Sequence, residues 1–594
     1  MTKTLLMKSP ISQSLIRKIN KFPHVKKAYA YAVDVISEKI PACTLTKLAC
    51  KRFIDDLKKS EEDSFIYEFD CSKGERICAF AEMLPHVKGK WARHSMLERL
   101  IILEPWQCFM FVNLTGWVHK KTKLRRYREA YIEVPRKNGK SLIAAVIGLY
   151  FFLVDKEPGA EVYCGATTEK QAFEVFRPAR RMCEVRPELT KHFDITIYQQ
   201  ALKLPDESLF QPIIGKPGDG SSPHLAILDE YHEHPDSTAY DAMQTGMGAR
   251  EQPLLLIITT AGFNSESPCH DKHDDCVKVL SSAVKDEEQF VLIYSIDSTD
   301  DPFCLDSLIK ANPNFGVSVM PDYLERQCET AKRSPAAQNK YLVKHLNVWT
   351  TSDEAFFNMV EWQNLSDPAL RIEQFKGVKS VFAIDLASKL DICAFVILFI
   401  KIIDGKKHYF VFAKHYLPEE TIDDTENVNF QLYQKFIRTT GSDSSAVLTA
   451  VPGAETDFNA IKQDIVSNAH LYTPTEVAFD IWNAQSLMQD CAREGLPVVE
   501  VPQIARTLSA GMKEIESAIK AKRIHHDGNP VLSWCMSNVI AQEDRNGNFR
   551  PIKKRKSTKI DSAVALIMAV SRALLVKNMS ISEAVGMGYG VRLL

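Results

Sequence analysis

The sequence predicts two α/β domains in series, the first on a parallel-rich sheet and the second opening on an antiparallel meander. Three observations carry that expectation. Apolar strand-like runs alternate with helix-like segments from about residue 125 to 300, which implies a parallel sheet covered on both faces. One of those strands passes into its helix through a Gly-Lys-Ser loop. From Ser380, three apolar strands then follow one another too closely for crossover helices.

Length and composition agree. A chain of 594 residues with 45% hydrophobic and 25% charged side chains is globular and too long for one ordinary core. The balance of 74 basic against 75 acidic residues excludes a globally basic protein while leaving room for local basic patches. Leu142–Val154, the longest apolar run, has thirteen residues, short of the ~20 a membrane span needs. The opening MTKTLLMKSP lacks a secretory core, and 14 scattered cysteines with no CxxC pair read as reduced thiols.

In chain order, residues 1–60 read as a basic helical lead-in and 61–350 as the first domain. In that domain Tyr127–Val134 is strand-like, Gly139–Leu153 helical, Glu161–Ala166 a strand and Thr168–Cys183 a helix. Leu225–Leu228, Leu254–Thr259 and Phe290–Ile296 are further strands. Residues 351–378 break the rhythm and read as a linker, 379–575 as the second domain and 576–594 as a tail. The second domain has the meander Val381–Leu386, Ile392–Ile400 and Tyr409–Leu417, later strands Val477–Asp480 and Pro497–Val501, and an apolar helix Ile560–Leu575.

The chemistry of the first domain starts at Pro135-Arg136-Lys137-Asn138-Gly139-Lys140-Ser141. A phosphate-binding loop needs backbone N–H groups at a helix start, a lysine for the outer phosphates and a hydroxyl for magnesium. Lys140 and Ser141 supply the last two, although Val134 stands where the usual pattern has its first glycine. An ordinary basic helix start is disfavoured by the helix dipole, whereas Arg136 and Lys137 make sense beside phosphate charge. About ninety residues on, the apolar run Leu225–Leu228 ends in Asp229-Glu230. In phosphate-loop ATPases the first such acid holds magnesium and the second polarises the attacking water. Thr259-Thr260-Ala261-Gly262 closes a third strand, with hydroxyls placed to sense a γ-phosphate.

With PRKNGKS, LDEYHEH and PLLLIITTAG, residues 60–575 resemble the large terminase subunit of tailed bacteriophages. The resemblance implies ATP-driven translocation of double-stranded DNA into a procapsid through a portal. It also implies a portal protein and a small terminase subunit as partners, and a homo-oligomeric ring on the portal. The place of action would be the host cytoplasm, transiently on the procapsid, with no membrane and no place in the mature virion. By resemblance, Arg136 corresponds to the family's loop arginine, Lys140 to its phosphate-binding lysine and Glu230 to its catalytic glutamate. Trp106 and Gln107 in LEPWQ look like its adenine-contacting segment. ATP with Mg2+ is therefore expected at Trp106, Gln107, Arg136, Lys137, Asn138, Gly139, Lys140, Ser141, Asp229 and Thr260, with Ser141 and Asp229 on the metal.

The second domain offers three carboxylates. Asp385 and Asp480 end strands and Asp561 starts the apolar helix. Two strand ends and a helix start converge in a ribonuclease H-like fold, and clustered carboxylates suit two Mg2+ or Mn2+ ions clamping one phosphate. Terminases carry a nuclease domain of this type, in which Asp391 also matches a family aspartate. The basic run Lys553–Lys556 with Lys559, and KKTKLRRYR from Lys120 to Arg128, are candidate DNA-backbone contacts.

Other signals are read as structural. Cys269–Cys276 (CHDKHDDC) reads as a polar helix face, since four ligands on two helical turns cannot surround one zinc. His525-His526-Asp527 reads as a turn, and Arg250 is a candidate for an arginine acting in a neighbouring subunit. Two rivals remain. A helicase or restriction-type translocase-nuclease needs a second motor domain with a QxxGRxxR-type motif, which the sequence lacks. A degenerate prophage DNA-binding assembly protein would hydrolyse no ATP.

Overall fold

A computed structural model describes residues 11–575 apart from 97, 167, 215–219, 265–266, 334, 351–355, 387–390, 426, 428, 442–445, 545–546 and 554–557. The described residues form two compact units. One runs to Lys332 and resumes from Lys340 to Thr350; the other takes Arg333–Asn339 and continues from Thr351. No helix among the described residues is long and apolar enough to cross a membrane.

The first unit is built on an eight-stranded sheet. Its order is Gln289–Ile293, Glu129–Glu133, Leu254–Thr259, Leu225–Asp229, Glu161–Ala166, Leu209–Ile214, Leu202–Lys203 and Thr196–Ile197. The first six are mutually parallel and the last two add antiparallel pairs at one edge. Leu254–Thr259 is buried along its whole length, as a strand covered on both faces must be. Thr196–Ile197 and Leu202–Lys203 have two residues each and carry no readable alternation, and Pro212 obscures the strand Leu209–Ile214.

The helix Lys140–Leu153 lies against this sheet. At Gly148 a Cβ would come within 2.6 Å of the Phe210 ring, so glycine permits the close approach. The lead-in supplies the helices Gln13–Ile19, Pro23–Ile36 and Thr44–Lys59, whose apolar faces share the same core.

In KKTKLRRYR the lysines Lys121 and Lys123 are exposed, but Arg125 and Arg126 are not part of a free basic patch. Arg126 is fully buried, ion-paired with Asp56 at 2.8 Å and with Glu287, and its guanidinium lies 5.2 Å from the Trp117 ring. Arg125 pairs with Asp155 at 3.0 Å beneath the Phe151 ring. Removing one member of a buried pair strands the other charge. Arg126→Ala is expected to cost the first unit ~3–5 kcal/mol in urea unfolding. A loss below ~1 kcal/mol, the size of a surface pair, contradicts this.

The second unit has a sheet ordered Thr449–Val451, Lys406–Pro418, Cys393–Ile403, Ser380–Asp385, Glu476–Phe479 and Val498–Glu500, with Ile524–His526 also on Lys406–Pro418. The meander is antiparallel, and Glu476–Phe479 then joins Ser380–Asp385 in parallel. Alternation along that central strand serves two cores, Val381 and Ala383 in one, Phe382 and Ile384 in the other. The first core contains the helix Asp561–Leu575, which lies close to Ala505–Lys520. A Cβ on Gly511 would stand 2.5 Å from the Ile567 carbonyl oxygen, so only glycine allows that approach.

Two expectations are corrected here. The segment read as a linker is, over residues 356–378, packed into the second unit: Phe357, Trp362, Leu370, Ile372 and Phe375 are buried. Its anchors are spaced among polar residues around short helices, so they show no period. His525 and His526 form part of a strand rather than a turn, with His526 stacked 4.1 Å from the Trp362 ring.

Candidate functional site

Three adjacent strands of the first sheet, Glu129–Glu133, Leu254–Thr259 and Leu225–Asp229, end on the same side. Carboxyl ends of parallel strands beside a reversal of strand order are where open α/β sheets bind ligands. The loop after Glu133 carries Lys137 (φ 73°) and Gly139 (φ 86°) in left-handed conformations. Gly139 stands at the N-cap of the helix Lys140–Leu153 with no side-chain cap, so its first N–H groups remain available to an anion.

The loop is braced from below. Asn138 donates to the carbonyl of Pro135 at 3.1 Å and to Asn312 Oδ1 at 2.9 Å, and its Oδ1 accepts from the Asn314 backbone at 3.0 Å. Trp106 Nε1 donates to Asn314 Oδ1 at 2.7 Å. Gln107 Oε1 accepts from the backbone of Glu104 at 2.9 Å, closing a capping box. Asn138 and Trp106 are buried, at 0% and 1% exposure. Trp106 and Asn138 thus brace the loop through Asn314 and Asn312, while Gln107 caps its own helix. Asn312 and Asn314 were missed, since two amides around a proline match no motif.

The reactive groups do meet. Lys140 Nζ lies 3.7 Å from Glu230 Oε1 and 3.3 Å from the Val134 carbonyl. Burial lowers the Lys140 pKa against the pull of Glu230 and Asp229. Asp229 ends its strand buried; desolvation and the Glu230 charge push it up to about 7, with Lys140 opposing. Glu230 adopts φ 50° and remains one-quarter exposed, its Oε2 3.5 Å from Thr260 Oγ1 and 3.3 Å from His232 Nδ1. Ser141 and Arg136 are partly exposed and Lys137 exposed. Arg250 is elsewhere: it is pinned to the carbonyls of Ser222 (2.9 Å) and Gly159 (2.8 Å) near the amino ends of the strands, a structural staple. On the helix Pro268–Leu280, Cys269 and Cys276 are buried and His273 meets Glu133 at 2.8 Å, so this face of CHDKHDDC points inward, not to solvent.

In the second unit, Asp385 ends its strand and Asp480 follows the adjacent parallel one, in register at Ile384 and Phe479. Asp561 starts the helix packed on that sheet. Burial, then the charges of Asp561, Asp480 and Asp391, push Asp385 well above the usual carboxylate range, although Gln503 donates to it at 2.9 Å. Burial and Asp391 raise Asp561 to about 6, against Lys553 and Lys559. Asp561 Oδ2 is buried with no hydrogen-bond partner.

Among the described residues no three His, Cys, Asp or Glu side chains already form a metal cage. The aspartates stand near enough to repel, and buried like charges stay apart unless a cation lies between them.

Asp391 is engaged by Lys553 at 3.2 Å and by Lys559; these lysines hold its pKa low in spite of burial. Two members of the basic run thus serve an acid rather than a free surface, and residues 554–556 lie outside the described residues. Beside Asp561, Ser562 Oγ lies 2.8 Å from Nε2 of buried His415, whose pKa burial pushes down to about 4. Gln503 and His415 are lone polar residues that no sequence pattern marks.

Comparison with known proteins finds two family domains, the second of which begins at residue 283, inside the first unit. Residues 105–277 match the terminase large subunit ATPase domain and 283–576 the terminase large subunit endonuclease domain. Protein YmfN of Escherichia coli K12 is 40% identical over 383 residues, 63% of this chain and 83% of that protein. The large terminase of Enterobacteria phage HK97 is 28% identical over 515 residues, 84% and 96% of the two chains. The crystal structure of the HK97 large terminase aligns over 84% of this chain and 99% of that one, at 27% identity and a TM-score of 0.40. A nuclease domain thus stands where a helicase would need a second motor. The chain belongs to the terminase large subunit family and carries both its ATPase domain and its endonuclease domain.

Proposed function

We propose that the strand-end cluster of the first unit hydrolyses ATP to move double-stranded DNA through a portal into a procapsid, and that the aspartates of the second cut concatemeric DNA. The observation that carries this reading is the meeting of Lys140, Asp229, Glu230 and Thr260 at the carboxyl ends of adjacent strands. Lys140 binds the outer phosphates, with Arg136 and Lys137 adding positive charge at the loop. Glu230 orients and polarises the attacking water, and the Thr260 hydroxyl, 3.5 Å from Glu230, would contact the γ-phosphate. Ser141 and Asp229 would hold Mg2+. Asp385, Asp480 and Asp561 would hold two Mg2+ or Mn2+ ions: the donors are all carboxylates, and Asp561 keeps a buried oxygen without a hydrogen-bond partner. Such ions supply Lewis acidity and a nucleophilic water at neutral pH. Gln503 and His415 orient Asp385 and the start of the Asp561 helix.

The portal protein and a small terminase subunit are the partners, in a ring assembled on the procapsid in the host cytoplasm and absent from the mature virion. ATP-dependent protection of DNA inside empty portal-bearing procapsids tests this: the parent chain is expected to package, and failure with active portals contradicts it.

The two activities are separable. A segment from Thr351 to Leu575 is expected to fold and to nick DNA without ATP, steeply salt-dependent and with little sequence preference. A segment starting at Gly377 lacks the buried Phe357, Trp362 and Phe375 and is expected to unfold at lower temperature. Circular dichroism melting and plasmid nicking of both segments check this. Equal melting temperatures would remove the 356–378 segment from the fold.

A further inference from the structure

The carboxylate immediately before the phosphate loop has no part in the roles assigned above. Glu133 is fully buried, yet accepts from Tyr131 Oη at 2.5 Å, His273 Nδ1 at 2.8 Å, Asn347 Nδ2 at 3.0 Å and Trp349 Nε1 at 3.4 Å. Burial works against its ionisation, but His273 and the other donors hold its pKa below the usual value. A buried charge is tolerated only when its lone pairs are filled in one geometry. Glu133 therefore fixes its partners in place, and CHDKHDDC contributes His273 to that anchor.

Asn347 is the partner that reaches the nucleotide site. Its backbone is left-handed (φ 59°), a conformation asparagine tolerates better than most residues. Its Nδ2 donates to Glu133 and to the Tyr294 carbonyl at 2.7 Å, while its Oδ1 accepts from the Ala261 amide, also at 2.7 Å. One amide thus ties together the ends of three strands. Ala261 directly follows Thr260, whose hydroxyl lies 3.5 Å from Glu230.

The neighbouring stretch is held the same way. Thr350 N donates to the Gly262 carbonyl at 3.3 Å, and a Cβ on Gly262 would come within 2.9 Å of the Trp349 ring. Glycine is what lets Trp349 close over that strand end.

We infer that Asn347 is a positioning residue for ATP hydrolysis: by bridging Glu133 to the Ala261 amide it fixes Thr260 and Glu230 against the phosphate loop. The inference rests on the assignment of Glu230 and Thr260 to the nucleotide site. A displacement of about 1 Å at reacting groups is enough to cost ~100-fold in rate, without a matching loss of binding.

Two full-length variants test it. Asn347→Gly keeps the left-handed backbone and removes all three side-chain bonds. Asn347→Asp keeps an acceptor for Ala261 but sets a second carboxylate against Glu133. Methylanthraniloyl-ATP with magnesium reports binding by fluorescence, and steady-state phosphate release reports turnover. Both variants are expected to lose at least ~10-fold in kcat with the nucleotide Kd within about threefold of the parent. Glu230→Gln, run alongside, tests the underlying assignment separately. Parental turnover in Asn347→Gly or Asn347→Asp, with Glu230→Gln inactive, overturns the inference and leaves the site intact. So does a parallel loss of binding, turnover and melting temperature in both variants, which marks a purely structural role. Parental turnover in Glu230→Gln overturns the assignment on which the inference rests.

Discussion

Glu230→Gln is expected to abolish ATP turnover, a fall of ~10³-fold or more, while ATP still binds. The substitution keeps the shape of a side chain that lies one-quarter exposed at its strand end, 3.7 Å from Lys140 and 3.5 Å from Thr260. It removes the one carboxylate with both the exposure and the position to polarise water beside a γ-phosphate. Asp229 is buried, with one oxygen already accepting from the Glu230 amide, so it does not replace the lost base. Lys140→Ala should fail differently. The outer phosphates lose their charge-assisted partner, so binding weakens along with turnover. Single-turnover hydrolysis with nucleotide-binding fluorescence separates the two. A Glu230→Gln protein that hydrolyses ATP at the parental rate contradicts the assignment.

Asp385→Asn is expected to lower DNA cleavage by at least ~10²-fold in magnesium or manganese. Burial and then the charges of Asp561 and Asp480 raise the Asp385 pKa. Asparagine keeps the contact with Gln503 but removes the formal charge a hard cation requires. Chelation should have the same effect on the parent protein, and plasmid nicking reads both. Normal cleavage by Asp385→Asn rules out the three-aspartate centre.

The fold was legible where apolar runs were long. Leu254–Thr259, Glu161–Ala166 and the three meander strands are uniform enough that period and length identify them. Helix starts and strand ends then located Lys140, Asp229, Glu230, Asp385, Asp480 and Asp561. Legibility failed where a residue's role is set by what lies across the fold. Arg126 reads as part of a basic surface run, yet Asp56 and Glu287, distant in sequence, draw it inside. Trp106 was read from its resemblance to an adenine-contacting segment and Asn138 from its place in the loop, and neither reading shows that their polar groups meet Asn314 and Asn312. Residues 356–378 looked like a linker because five buried anchors on short elements leave no periodic trace. In each case the sequence shows the chemistry of the side chain but not its partner.

Two independent catalytic centres in one chain is the central claim, and a crossed assay of one set of proteins tests it most directly. ATP hydrolysis and nucleotide-free plasmid cleavage are measured on the parent, Glu230→Gln and Asp385→Asn. Glu230→Gln is predicted to cut at the parental rate without hydrolysing ATP, and Asp385→Asn to hydrolyse ATP at the parental rate without cutting. Loss of both activities from either substitution, or ATP turnover absent from the parent itself, would contradict two separate working centres.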